Sequence, residues 1–150
     1  MTGSGSYNYG ATATLTATPN TGYSFVKRSD NNTNASRSVT VAEAATYTAT
    51  FAINTYTLSI TSNGNGTVNT AVNGTYNYGA MATITATPSS NYHFVSWSDG
   101  STTASREITM TANTTLSATF AINSYTITAT ASTGGSVTGS GSYNYGATAT

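Results

Sequence analysis

Across residues 11–18 small apolar side chains alternate with threonine: Ala11, Ala13, Leu15 and Ala17 against Thr12, Thr14, Thr16 and Thr18. A period of two puts the apolar set on one face and the β-branched hydroxyls on the other, the pattern of a half-buried strand. The same alternation places Tyr47, Ala49, Phe51 and Ile53 on one face of a strand at residues 47–53. It also sets Tyr56, Leu58 and Ile60 opposite Thr57, Ser59 and Thr61. Two further strands are predicted at residues 92–98, "YHFVSWS", and 106–111, "REITMT", separated by the turn-forming "DGSTTAS". Glycine and asparagine clusters such as "SNGNGT" (62–67) supply the positive φ that tight turns need. No stretch carries a helical apolar period of useful length. The expectation is an all-β fold with about five short strands per unit, arranged as an antiparallel meander or a grasp-like sheet.

The pattern recurs. "YNYGATATLTATP" (7–19) returns as "YNYGAMATITATP" (76–88), and "YTATFAINTYT" (47–57) as "LSATFAINSYT" (116–126), both with a shift of 69 residues. A third "YNYG" starts at Tyr143, only 67 residues after Tyr76, because "VNTAVNGTY" (68–76) is shortened to "VTGSGSY" (137–143). The stretch "TGSGSYNYGATAT" stands both at residues 2–14 and, letter for letter, at 138–150. Tandem small β units of roughly 68 residues account for this better than one domain, and each unit is small enough to need its neighbours. With Tyr56 and Tyr125 as equivalent starts, residues 56–124 form a complete repeat. Residues 1–55 form a partial repeat lacking its first strand, and 125–150 hold the opening strands of a third.

Composition narrows the function. Charged residues are 5% of the chain and the formal net charge is zero, against about 25% charged residues in ordinary domains. That excludes the Lys/Arg footprint nucleic acid requires and electrostatic docking on anionic membranes. There is no stretch of about 20 apolar residues to insert in a bilayer. With no cysteine there is no disulfide framework and no thiolate metal site. Aromatics at 11% and strict local patterning argue for a folded chain.

The order "GTV … YNYGAMATITATPSSNYHFVSWSDG … ITMTANTTLSATF" resembles the divergent form of the internalin B repeat. Its pattern combines a Gly-Thr/Ser-Val turn, a Tyr-x-x-Gly opening, an "A-T-P" strand end, an aromatic-rich "Gly-Tyr-x-Phe-x-x-Trp" strand and a closing "A-x-F". The likeness covers the whole chain, with departures at Asn91, where glycine is usual, and at Arg28, which stands where the second copy has Trp97. The resemblance implies an extracellular or cell-surface spacer or adhesin stalk of a bacterium and no catalytic residues.

The residues themselves offer little chemistry. His93 is the only histidine and its first-copy counterpart is Ser24, so it reads as structural or solvent-exposed. Asp30, Asn32 and Asn34 have the alternate spacing of a calcium loop, but Ala35 and Val41 stand where such a loop needs glycine and a bidentate glutamate. A turn capped by Asp30 or Asp99 fits better. No nucleophile, base and orienting group can be assembled, so the expectation is no enzyme, no metal and no cofactor. Strict alternation sets Tyr92, Phe94 and Ser96 on one strand face and His93, Val95 and Trp97 on the other. Trp97, with the pairs Tyr7 and Tyr9, and Tyr76 and Tyr78, is then either packing or a platform for surface glycans. If Trp97 packs, Arg28 leaves its own repeat underfilled. The assembly strand is sought in Tyr125, Ile127 and Val137: an opening strand without its sheet, complementary to a first repeat without its opening strand. The partners expected are identical chains or neighbouring repeats, joined head to tail.

Overall fold

The computed structural model describes residues 1–149, and strands are its only regular elements besides a single 3-10 turn at Thr70–Val72. Among the described residues no helix is long and apolar enough to cross a membrane. The chain divides into two compact units.

The first unit comprises Met1–Tyr56 with Thr75–Ala80 and Met110–Ala112. Its strands are β1 (Thr12–Thr16), β2 (Tyr23–Arg28), β3 (Ser36–Thr40) and β4 (Ala49–Ile53). They form two antiparallel pairs, β1 with β3 and β2 with β4. Ala13, Leu15 and Ala17 are buried as their alternation predicts, and the intervening Thr12 and Thr14 are exposed.

The second unit comprises Thr57–Gly74, Met81–Thr109 and Asn113 onward. The complete repeat is built from β5 (Thr55–Ser62), β6 (Gly66–Val68), β7 (Gly74–Asn77), β8 (Met81–Pro88), β9 (Tyr92–Trp97), β10 (Ser105–Thr109) and β11 (Thr114–Ile122). A three-stranded sheet runs β10-β8-β6, and β5, β11 and β9 lie in that order in a second sheet. The first and last long strands, β5 and β11, lie side by side and parallel, from Leu58 opposite Thr114 to Ser62 opposite Ala118. This is the grasp-like arrangement. The three- and four-residue strands β6 and β7 are too short to show an alternation, which is why the sequence suggests five strands and the fold has seven. Leu58, Ile60, Ile84, Leu116, Ala118 and Phe120 are all buried in the core. Each large side chain among them contributes about 1.5 to 3 kcal/mol by leaving water. Beyond the repeat, β12 (Ser124–Ile127) and β13 (Gly141–Asn144) form an antiparallel pair.

Alternation fails in one place in each repeat. In β9 the register slips so that Phe94 faces Phe120 and Ser96 faces Thr119, leaving Val95 as the extra residue of a bulge. A bulge turns every later side chain to the opposite face. Trp97 therefore joins Phe94 in the core instead of pointing away with Val95, and their ring centroids are 5.8 Å apart. The slip recurs in β2 at Val26, with Phe25 facing Phe51 and Lys27 facing Thr50. There it turns Arg28 inward.

Candidate functional site

Trp97 is 1% exposed, and its indole N–H donates to the Thr103 carbonyl at 3.1 Å. Arg28, in the matching position, is 0% exposed. Its guanidinium donates to the carbonyls of Asn34, Leu15 and Ala35, and lies 5.2 Å from the centroid of the Phe25 ring. Asn34 corresponds to Thr103, so one acceptor position serves the indole in one repeat and the guanidinium in the other. The expectation of an underfilled first repeat is corrected by this: arginine's planar fork can occupy an aromatic slot when carbonyls and a ring face take its charge.

The two acidic turns also match. Asp30 Oδ1 accepts from Asn32 N–H at 3.2 Å and Asp99 Oδ1 from Ser101 N–H at 3.1 Å. Each carboxylate also pairs with an arginine of the following strand, Asp30 with Arg37 at 2.7 Å and Asp99 with Arg106. The hydrogen bond from Arg106 holds the Asp99 carboxyl below its ordinary value of 3.8. A carboxyl lowered on folding adds stability that is present above its unfolded value and is lost as pH falls through the folded one. Both pairs are solvent-exposed and so contribute little. The melting temperature is expected to stay within about 3 °C from pH 5 to 9, and to dip only below about pH 4. Asp99→Asn should shrink that acid dip. A swing of many degrees between pH 5 and 9 in a calorimetric titration would contradict this account.

His93 is exposed, with Nδ1 3.0 Å from Asn123 Oδ1, and its counterpart Ser24 donates its hydroxyl to Asn54 Oδ1. Among the described residues no group of three or more His, Asp or Glu side chains gathers where a metal ion would be held.

The tyrosine pairs do not share one strand face. Tyr76 lies in β7, but Tyr78 follows it in a turn, and neither Tyr7 nor Tyr9 lies in a strand. Tyr78 is half-buried: its ring is tilted against Tyr56 at 6.4 Å and covers Gly22 so closely that a Cβ there would sit 2.2 Å from Cδ1. Gly22 also has φ of 81°, so no other residue suits the position. Asn91 is its counterpart at φ 66°, a left-handed conformation asparagine tolerates. Tyr9 is 87% exposed and Tyr7 41%.

Among the described residues no strand of the first unit takes the place that β5 has in the complete repeat. In the complete repeat, β5 seals the core with Leu58 and Ile60 and pairs with β11. In the first unit the residues matching the start of β11, 45–48, form no strand. Tyr47 and Phe51 are half-buried there, whereas their counterparts Leu116 and Phe120 are buried. Beside them is a cleft of about 680 Å³ lined by Ala13, Leu15 and Tyr47 and, from the N-terminal segment, by Ser4, Tyr7 and Tyr9. In the second unit, β12 corresponds to the start of β5 and pairs with β13 alone. Its Tyr125 and Ile127 are 55% and 47% exposed, and Val137 is 50% exposed.

A family model described as the divergent InlB B-repeat domain, Flg_new_2, matches residues 1–55, 56–124 and 125–150. The chain belongs to this family. It is a repeat module of bacterial surface proteins. Neither a curated protein nor a solved structure matches the chain. In the divergent InlB B-repeat chain, then, β5 is seated in the core of residues 56–124, the first unit has an open cleft, and β12 carries exposed Tyr125 and Ile127. Sequence reasoning missed Arg28, whose charge argues against burial. It also missed Asn73, whose side chain bonds the Ile60 N–H at 2.7 Å and carbonyl at 3.2 Å, as a neighbouring strand would. A lone asparagine in a turn gives no sign of that role.

Proposed function

We propose that this chain is a structural segment of a stalk or fibre outside a bacterial cell, and that it self-associates head to tail by strand addition. The observation carrying the reading is the first-unit cleft lined by Ala13, Leu15 and Tyr47, whose counterparts Ala82, Ile84 and Leu116 are buried in the complete repeat along with Leu58 and Ile60 of β5. Strand addition supplies main-chain hydrogen bonds for affinity and side-chain pockets for register. The donor is the segment starting at Ser124, whose Ile127 and Ala129 correspond to Leu58 and Ile60. Because donor and acceptor are different segments of the chain, the contact is heterologous and propagates unless it closes in a ring. Nothing in the arrangement requires catalysis.

Light scattering over a range of concentrations tests it. The full chain is expected to gain mass with concentration, and a chain of residues 1–124 to remain monomeric. A full chain that is monomeric at high concentration, or a truncated one that assembles equally well, would refute the proposal.

A second reading, a glycan-binding adhesin module, draws on the exposed ring of Tyr9. Trp97 has no face available for it.

A further inference from the structure

Residues 3–7 and 139–143, from the two copies of "TGSGSYNYGATAT", share a turn but not its surroundings. Gly3 and Gly139 have φ of 97° and 95°. Tyr7 donates its hydroxyl to the Gly3 carbonyl at 2.9 Å, and Tyr143 does so to Gly139 at 3.0 Å. The later copy is engaged with a strand. The Ser140 hydroxyl accepts from the Ala129 N–H at 2.9 Å and lies 3.2 Å from the Ala129 carbonyl, taking the part that Asn73 plays on Ile60. The earlier copy presents the identical Ser4, which is exposed.

A second set of bonds links each repeat to the loop that follows. Within the first unit, Asn54 N–H donates to the Gly22 carbonyl and Tyr78 N–H to the Asn54 carbonyl, each at 2.8 Å. Within the second unit, Asn123 N–H donates to the Asn91 carbonyl and Tyr145 N–H to the Asn123 carbonyl, again at 2.8 Å. Gly22 and Asn91, Asn54 and Asn123, and Tyr78 and Tyr145 are equivalent positions. Tyr9 is the third member of that tyrosine set and its ring is the most exposed of the three.

We infer that assembly is an exchange: residues 2–10 of one copy displace the identical residues 138–146 of another, so that Ser4 takes the Ala129 backbone and Tyr9 takes the Asn123 carbonyl. This rests on the self-association proposed above and names its register. Residues 125–137 of the donor then lie across the first-unit cleft of the acceptor, with Ile127 and Ala129 over Ala13 and Leu15. The product is a composite repeat, made of the donor's opening strand and the acceptor's first unit, with every element of residues 56–124. Exchange forms the same loop contacts that it breaks. Its net gain is the filling of the cleft and the pairing of residues 127–131 with residues 45–49, as residues 58–62 pair with 114–118 in the complete repeat.

Under exchange, identical tyrosines in identical sequences behave differently. The probe is a second copy of the chain itself, followed by light scattering or sedimentation. Tyr9→Ala is expected to weaken assembly about tenfold, as loss of one interface aromatic does. Tyr145→Ala, which keeps the backbone bond and strips only the ring of the displaced competitor, is expected to leave assembly unchanged or tighten it. Tyr9 is exposed in the free chain, so its loss leaves the fold intact, and circular dichroism checks both variants. If both substitutions weaken assembly alike, or if neither does, while the unaltered chain assembles, exchange is overturned and strand addition in some other register stands. If the unaltered chain does not assemble, the self-association reading itself fails.

Discussion

Trp97→Ala is expected to destabilise the second unit by about 3 to 5 kcal/mol, the range for large aromatic truncations in packed cores. Trp97 is fully buried, stands 5.8 Å from Phe94, and Phe94 in turn meets Phe120 edge-on at 5.9 Å. The truncation therefore opens a cavity at the end of an aromatic row and leaves the Thr103 carbonyl without its indole donor. Denaturant unfolding monitored by circular dichroism measures it, and a cost below about 1 kcal/mol would show that the bulged strand does not hold the ring in the core.

Arg28 gives the second large effect and a reversal. Arg28→Ala is expected to cost about 3 to 5 kcal/mol, because it removes the donors from three carbonyls and leaves a void under the Phe25 ring. Arg28→Trp should be neutral or stabilising. The second repeat already accommodates that indole on the same bulge and the equivalent carbonyl, and exchanging a buried charge for a well-packed apolar group is often favourable. Within the first unit Arg28 makes no ion pair, and its Nε has no partner among the described residues. Unfolding of both variants by denaturant decides the matter, and an Arg28→Trp variant as damaged as Arg28→Ala would mean the two slots differ in shape.

Alternation made the long strands legible because one face of each is buried: Ala13, Leu15 and Ala17 in the first repeat and Ala82, Ile84 and Ala86 in the second all lie inward. It could not show the bulges at Val26 and Val95. An extra residue leaves no mark on composition, only on which face the next side chain takes. The repeat period revealed equivalent positions, but not that a slot shared by Trp97 and Arg28 is one slot, since that depends on a carbonyl at Asn34 or Thr103. The exposure of Tyr125 and Ile127 fits the sequence pattern, because their counterparts Tyr56 and Leu58 in the full repeat mark where such a strand packs. The links through Asn54 and Asn123 were not legible. They run through backbone atoms, which every residue has.

The parallel pairing of β5 with β11 has a mechanical meaning for a chain held at both ends. Tension draws β5 back toward its first residue and β11 forward toward its last, in opposite directions along one shared axis. The five register pairs from Leu58 and Thr114 to Ser62 and Ala118 are then loaded together in shear, where an antiparallel hairpin would open one bond at a time. Forced unfolding is governed by the barrier to opening and not by equilibrium stability. A repeat of modest stability can therefore resist pulling well, provided its first strand lies beside its last.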